Sequence, residues 1–115
     1  MTNKIALSIV THNSKHIFEV LDNLKQQLED SSAYEVHIFD NHSEPDYVSK
    51  LKAYEPFIIL HQHDANSGFG YGHNQVFRDV TADYGIIFNP DVLVTKTDMD
   101  DMVERIRQDH ELAVI

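Results

Sequence analysis

Val36-His37-Ile38-Phe39-Asp40-Asn41 and Tyr84-Gly85-Ile86-Ile87-Phe88-Asn89-Pro90-Asp91 repeat one pattern, a short apolar run that ends in an acid. Runs this short, rich in β-branched and aromatic residues, read as buried strands. In a parallel sheet the carboxyl ends of the strands open onto the crevice where ligands bind. The pattern therefore predicts that the side chains of Asp40 and Asp91 face a common cleft, gripping opposite ends of one ligand. One carboxylate there can read a hydrogen-bond donor, and the other can hold a divalent cation. That pairing points to a nucleoside diphosphate carried with a metal ion.

Outward from these runs, strands and helices alternate. Ile5-Ala6-Leu7-Ser8-Ile9-Val10 reads as a buried strand and Thr11-His12-Asn13-Ser14 as the turn after it, with Asn13 or Ser14 available to cap a helix. Ile17, Val20, Leu21, Leu24 and Leu28 recur at helical spacing. A strand is predicted over 35–39 and a loop over 41–45. Tyr47, Val48, Leu51 and Tyr54 give a short helix that closes at Glu55-Pro56. A third strand over 57–60 leads into a long glycine-containing loop over 61–72, and a helix over 74–80 precedes the strand at 84–88. Met99, Met102, Val103 and Ile106 mark the last helix, and Leu112-Ala113-Val114-Ile115 a fifth strand. Near-continuously apolar strands separated by helices imply a parallel sheet covered on both faces. The predicted class is α/β, a Rossmann-like three-layer α/β/α arrangement with a mainly parallel sheet.

The 115 residues allow one domain at most. There is no cysteine, which excludes disulfides and thiolate metal sites and fits a reducing compartment. No apolar run approaches the roughly 18 residues that span a bilayer, and no leader-like run follows Met1. The formal charge of −10 repels phosphate polymers, so no nucleic-acid polymer is expected as a partner. A nucleotide is still compatible where a metal or backbone amides neutralise its phosphates. The chain stops inside an apolar run at Ile115, whereas domains usually end in polar, exposed sequence. It reads as a truncated fragment of a larger domain, with the rest of the active site outside residues 1–115.

Each motif also has a plain structural reading. Proline stops a strand, so Asn89-Pro90-Asp91 turns the chain whether or not it binds a metal. Asp40 can cap a turn as well as read a base, and Ser43 can cap the next helix. Asn66-Ser67-Gly68-Phe69-Gly70-Tyr71-Gly72-His73-Asn74 could bring backbone amides close to a phosphate, or serve only as a flexible loop. It matches neither the dinucleotide fingerprint nor a phosphate loop. His61 and His63 have one-face strand spacing, yet zinc would need a third ligand from elsewhere. Most of the eight histidines are better read as solvated or hydrogen-bonded.

Taken together, Ser8-Ile9-Val10-Thr11-His12-Asn13, Asp40-Asn41-x-Ser43, Asn66-x-Gly68-Phe69-Gly70-x-Gly72-x-Asn74 and Phe88-Asn89-Pro90-Asp91 resemble family 2 glycosyltransferases of the GT-A fold. The Asn-Pro-Asp form is similar to rhamnosyltransferase-like members. The resemblance covers essentially the whole chain. It implies an inverting transfer of a sugar from a nucleotide-diphospho-sugar, UDP- or dTDP-linked, to a hydroxyl of a saccharide or lipid-linked acceptor. It places Thr11 and Asn13 beside the base and ribose, Asp40 on the base, and Asn66 and Gly68 along the nucleotide pocket. It gives Asp91, helped by Asn89, to Mg²⁺ or Mn²⁺ on the diphosphate. The family often carries Tyr or Phe where His12 stands, and Asn89 replaces the first acid of Asp-x-Asp. The general base comes from the acceptor half in this family, so no catalytic residue is assigned. Polysaccharide assembly on the cytoplasmic side, including the inner face of the membrane, is the implied setting.

Two other classes compete. A signalling receiver shares the alternating order, but it needs acids after the first strand and a phospho-acceptor after the third. Those places hold Thr11-His12-Asn13 and His61-Gln62-His63. A non-catalytic nucleotide-binding or assembly module derived from a transferase is the alternative, with homo-oligomers formed through an open apolar sheet edge.

Overall fold

The computed structural model of the chain describes residues 4–65, 69–79, 81–109 and 113–114. Its elements run β1 (Ile5–Thr11), α1 (Ile17–Gln27), β2 (Tyr34–Asn41), α2 (Pro45–Lys52), β3 (Ile58–His63), α3 (Phe69–Asp79), β4 (Tyr84–Phe88), α4 (Lys96–Asp109) and β5 (Ala113–Val114). The strands form one five-stranded sheet in the order β3-β2-β1-β4-β5. Every pairing is parallel. The flavodoxin-like order of a receiver is 2-1-3-4-5, so this order excludes that alternative and matches the Rossmann type.

Strand alternation sorts the side chains onto two faces. Ile5, Leu7 and Ile9 of β1, Val36 and Ile38 of β2, Ile58 of β3, and Ile86 and Phe88 of β4 form the main core. Ile17, Val20, Leu21 and Leu24 of α1, Leu51 of α2, and Met99, Val103 and Ile106 of α4 complete it. The helical spacing of these residues is what builds α1 and α4 against the sheet. On the other face α3 packs across β1 and β2 through Val10, Phe39 and Val76.

The second face is unusually polar for a covered one. The Ser8 hydroxyl lies 2.7 Å from His73 Nδ1, and His37 Nδ1 lies 2.9 Å from His61 Nε2. Phe39, His63 and Tyr71 form a ring triangle with centroids 5.1 to 6.1 Å apart. His61 and His63 thus belong to the packing of this face. Among the described residues, no cluster of three or more acids, histidines or cysteines could hold a metal.

Several predicted boundaries move. β2 continues through Asp40 and Asn41, and β3 continues to His63, because the two strands keep pairing as Phe39↔His61, Asp40↔Gln62 and Asn41↔His63. α2 begins at Pro45, whose fixed φ and missing N–H suit a first helical position. The glycine-rich stretch is largely helix: α3 starts at Phe69, so Gly70 and Gly72 are helical and the long loop to residue 72 does not exist. Gly72 serves packing. A Cβ there would stand 2.5 Å from Val10 Cγ2 and 2.8 Å from Phe39 Cδ1. Its absence lets α3 lie close to the sheet.

Gly72→Ala is therefore expected to destabilise the fold by about 1–3 kcal/mol through overpacking. Gly70 has nothing within 4 Å of a built Cβ, so Gly70→Ala is expected to be neutral or stabilising by up to about 1 kcal/mol. Urea midpoints of the two variants check both signs.

The buried histidines add a pH dependence. Burial pushes the His73 imidazole down to about 4. Burial also lowers His37, with Glu35 partly opposing it. A histidine that protonates less readily folded than unfolded leaves stability intact above about 6.5 and erodes it as pH falls towards the folded value. For His73 the loss is on the order of 2 kcal/mol by pH 4.5. Urea midpoints at pH 7 and pH 4.5 should show this drop, and His73→Asn should make it shallower.

Candidate active site at the carboxyl edge of the sheet

β1 and β2 end side by side, with Thr11 paired to Asp40. Asp40 is only 2% exposed. Its Oδ2 accepts the Ser43 backbone N–H at 3.1 Å. Its Oδ1 is buried and has no hydrogen-bond partner among the described residues. A buried carboxyl oxygen left unpartnered is costly, on the order of 1–3 kcal/mol. Asp40 lies in a cleft of about 510 Å³ whose other lining residues are His42, Ser43, Val48, Gln62, His63 and Asp64. The cleft sits where β2 and β3 end against α2. The predicted base-reading acid is thus buried at the end of β2, with one oxygen unpartnered among the described residues.

Thr11 and Asn13 are placed beside Asp40 but are mostly occupied. The Thr11 hydroxyl, 1% exposed, meets the Tyr47 hydroxyl of α2 at 2.5 Å. Tyr47 donates its proton to the Ser14 carbonyl at 3.1 Å, so Thr11 is the donor to Tyr47. Burial raises the Tyr47 phenol above its ordinary value, and the nearby Asp40 adds in the same direction. Tyr47 is therefore held in its donor form. Asn13 takes a positive φ of 52°. Its backbone N–H donates to Ser43 Oγ at 2.8 Å, and its Oδ1 accepts the Glu44 N–H at 2.9 Å. Neither Asn13 nor Ser14 caps α1, whose first turn has no side-chain cap. Asn13 instead joins the turn after β1 to the turn after β2. Ser43 acts in the same clip rather than as a helix cap. Asn66 and Gly68 lie outside the described residues.

Asp91 follows β4, and β1 alone lies between β2 and β4 in the sheet. Neighbouring strands stand about 4.8 Å apart, so the ends of β2 and β4 are roughly 10 Å apart on one edge. Asp91 and Asn89 are exposed, and the Val92 N–H returns to the Asn89 carbonyl at 3.4 Å, closing the turn. Asp91 makes no hydrogen bond or ion pair among the described residues, and it is not part of the lining around Asp40. An exposed carboxylate without an ion pair can give one oxygen to a hard cation that also takes phosphate and water oxygens.

Sequence reasoning missed Tyr47 as the support of Thr11, along with the cleft residues His42, Gln62 and His63. A weak signal existed for His42. It lies two residues after a strand-ending acid, and its φ of 58° is the sort of turn geometry that histidine tolerates better than most residues.

A family model described as glycosyl transferase family 2 matches residues 7–115. Comparison with curated protein sequences finds no match. Among solved structures, TarS 1–349 of S. aureus in complex with UDP-GlcNAc is similar at a TM-score of 0.78 and 22% identity, over 93% of this chain and 32% of that one. The mannosyltransferase PcManGT from Pyrobaculum calidifontis, in complex with GDP-Man and Mn²⁺, is similar at 0.77 and 22%, over 92% and 33%. A longer TarS chain matches at 0.76 and 22%, over 93% and 20%. The chain spans between a fifth and a third of the length of these structures. At this identity the likeness establishes the fold, the α/β type of GT-A glycosyltransferases.

The Asn13 clip yields a separable pair of substitutions. Asn13→Ala loses the bond to the Glu44 N–H and puts alanine, which tolerates left-handed backbone less well than asparagine, at φ 52°, for an expected loss of about 2 kcal/mol. Asn13→Gly loses only the bond and should cost about half as much. Thermal unfolding of both variants tests the order.

Proposed function

The chain belongs to glycosyl transferase family 2, and we propose that it is the donor-binding portion of an inverting glycosyltransferase. In this reading it holds a nucleotide-diphospho-sugar whose sugar passes to a hydroxyl of a saccharide or lipid-linked acceptor. The observation that carries the proposal is Asp40, which lines the cleft at the carboxyl edge and whose buried Oδ1 has no partner among the described residues. As a carboxylate this oxygen only accepts, so its partner must bring a donor. The second oxygen is already engaged by the Ser43 N–H. One open oxygen suits a single ring N–H flanked by carbonyls, the imide edge of uracil or thymine. Guanine offers adjacent donors that would use the carboxylate as a pair. This favours a UDP- or dTDP-linked donor.

Thr11 serves in this proposal through its backbone and its support of Tyr47, because its hydroxyl is committed. Asn13 retains its side-chain amide N–H groups for the ribose side. Asp91, with the Asn89 amide oxygen, would hold Mg²⁺ or Mn²⁺ against the diphosphate. A bound divalent cation there supplies charge neutralisation for the departing diphosphate. The Asn89-Pro90-Asp91 form is what supports a rhamnosyl-type donor, and polysaccharide assembly on the cytoplasmic side is the setting that goes with it. The general base belongs to the acceptor half, so these residues alone should bind nucleotide without turnover.

Calorimetric titration with UDP, with and without Mn²⁺, tests this. UDP should bind more tightly with Mn²⁺ and more tightly than GDP. Asp40→Asn should weaken UDP by about tenfold or more, the loss expected for a hydrogen bond to a charged group. Asp91→Ala should abolish the Mn²⁺ dependence while sparing metal-free binding. Unchanged UDP affinity in Asp40→Asn would remove the base-reading role.

A further inference from the structure

His12 lies in the turn after β1, and its Nδ1 is 2.6 Å from the backbone carbonyl oxygen of Asn41 at the end of β2. A carbonyl only accepts, so Nδ1 must carry the proton. In the neutral ring Nε2 is then a bare acceptor. The ring is exposed, and Nε2 has no partner among the described residues. Asn41 directly follows Asp40 and precedes His42 and Ser43, which line the cleft. The imidazole is thereby tethered across the carboxyl ends of β1 and β2, next to the carboxyl group that reads the base.

The fixed tautomer limits what this position can recognise. Phosphate oxygens are acceptors and gain nothing from a second acceptor. The hydrogen-bond donors nearest to a base seated on Asp40 are the hydroxyls of its own ribose. We propose that His12 is a specificity-determining residue whose Nε2 accepts a hydrogen bond from a ribose hydroxyl of the bound nucleotide. The proposal rests on the nucleotide-binding reading above and adds to it a preference for nucleotides carrying that hydroxyl: the 2′ hydroxyl would select UDP over dTDP, and the 3′ hydroxyl would admit both. His12 therefore works by its lone pair, whatever its ring contributes by stacking.

The test compares UDP, 2′-deoxy-UDP and 3′-deoxy-UDP by calorimetry at pH 8 with Mn²⁺, on the unaltered chain, His12→Phe and His12→Gln. The unaltered chain should bind one of the deoxy analogues about three- to tenfold more weakly than UDP, the size of one hydrogen bond. His12→Phe, which keeps a ring but has no acceptor, should bind UDP and that analogue equally. His12→Gln, with an amide donor for Asn41 and a carbonyl acceptor, should keep a preference for UDP. If His12→Phe weakens UDP and both analogues by one common factor, His12 only supports the turn and the proposal is overturned. Equal binding of all three ligands by the unaltered chain overturns it as well, while leaving the nucleotide reading intact. If the unaltered chain binds none of them, the nucleotide reading falls and this proposal with it.

Discussion

The parallel register that sets Thr11 beside Asp40 is the constraint on which the binding edge depends. Side chains alternate along a strand, so a slip of one residue would send Asp40 to the face under α3. The same slip would turn Val36 and Ile38 out of the main core, where they are buried against Ile5, Leu7 and Ile9. The position of Asp40 is thus enforced by hydrophobic packing further down the same strand. Its chemistry needs no support of its own beyond the Ser43 N–H. The clip through Asn13, Ser43 and Glu44 then ties together the two turns that the register brings side by side.

The strands and the two acids were legible because apolar runs and a strand-stopping proline are local signals. Val36 to Phe39 and Tyr84 to Phe88 could be nothing but buried strands, and each carried its acid to the same edge. Side-chain assignments that depend on tertiary partners were less legible. Thr11 and Asn13 fell in the right place, but nothing local shows that Tyr47, on an element far along the chain, takes up the Thr11 hydroxyl. Asp40 and Asn41 looked like the start of a loop because of their polarity. They remain in β2 because β3 keeps pairing with them.

The glycines mislead for a physical reason. Alternate glycines suggest left-handed backbone or approach to a phosphate, and the sequence alone does not distinguish these from a helix that must pack closely. Gly72 belongs to the last class, since Val10 and Phe39 occupy the space a methyl group would need. The same close approach explains the histidines under α3. Once helix and sheet are in contact, His37 and His73 are removed from water and answered by His61 and Ser8. They are structural polar groups, and their cost appears only when acid forces a charge onto them.

The two acids at the edge differ in a way that orders their roles. Asp40 is buried, with one oxygen held by the Ser43 N–H and the other unpartnered among the described residues, so the selectivity proposed for it would be built before any ligand arrives. Asp91 is exposed, and among the described residues it belongs to no cluster of three or more acids, histidines or cysteines that could hold an ion. A lone exposed carboxylate holds a divalent cation weakly unless phosphate oxygens complete the shell. The metal should therefore bind with the diphosphate rather than before it. If Asp40 reads the base and Asp91 holds the cation, as proposed, recognition would begin where β1 and β2 end, and the cation would be captured only once the phosphates extend across β1 towards β4.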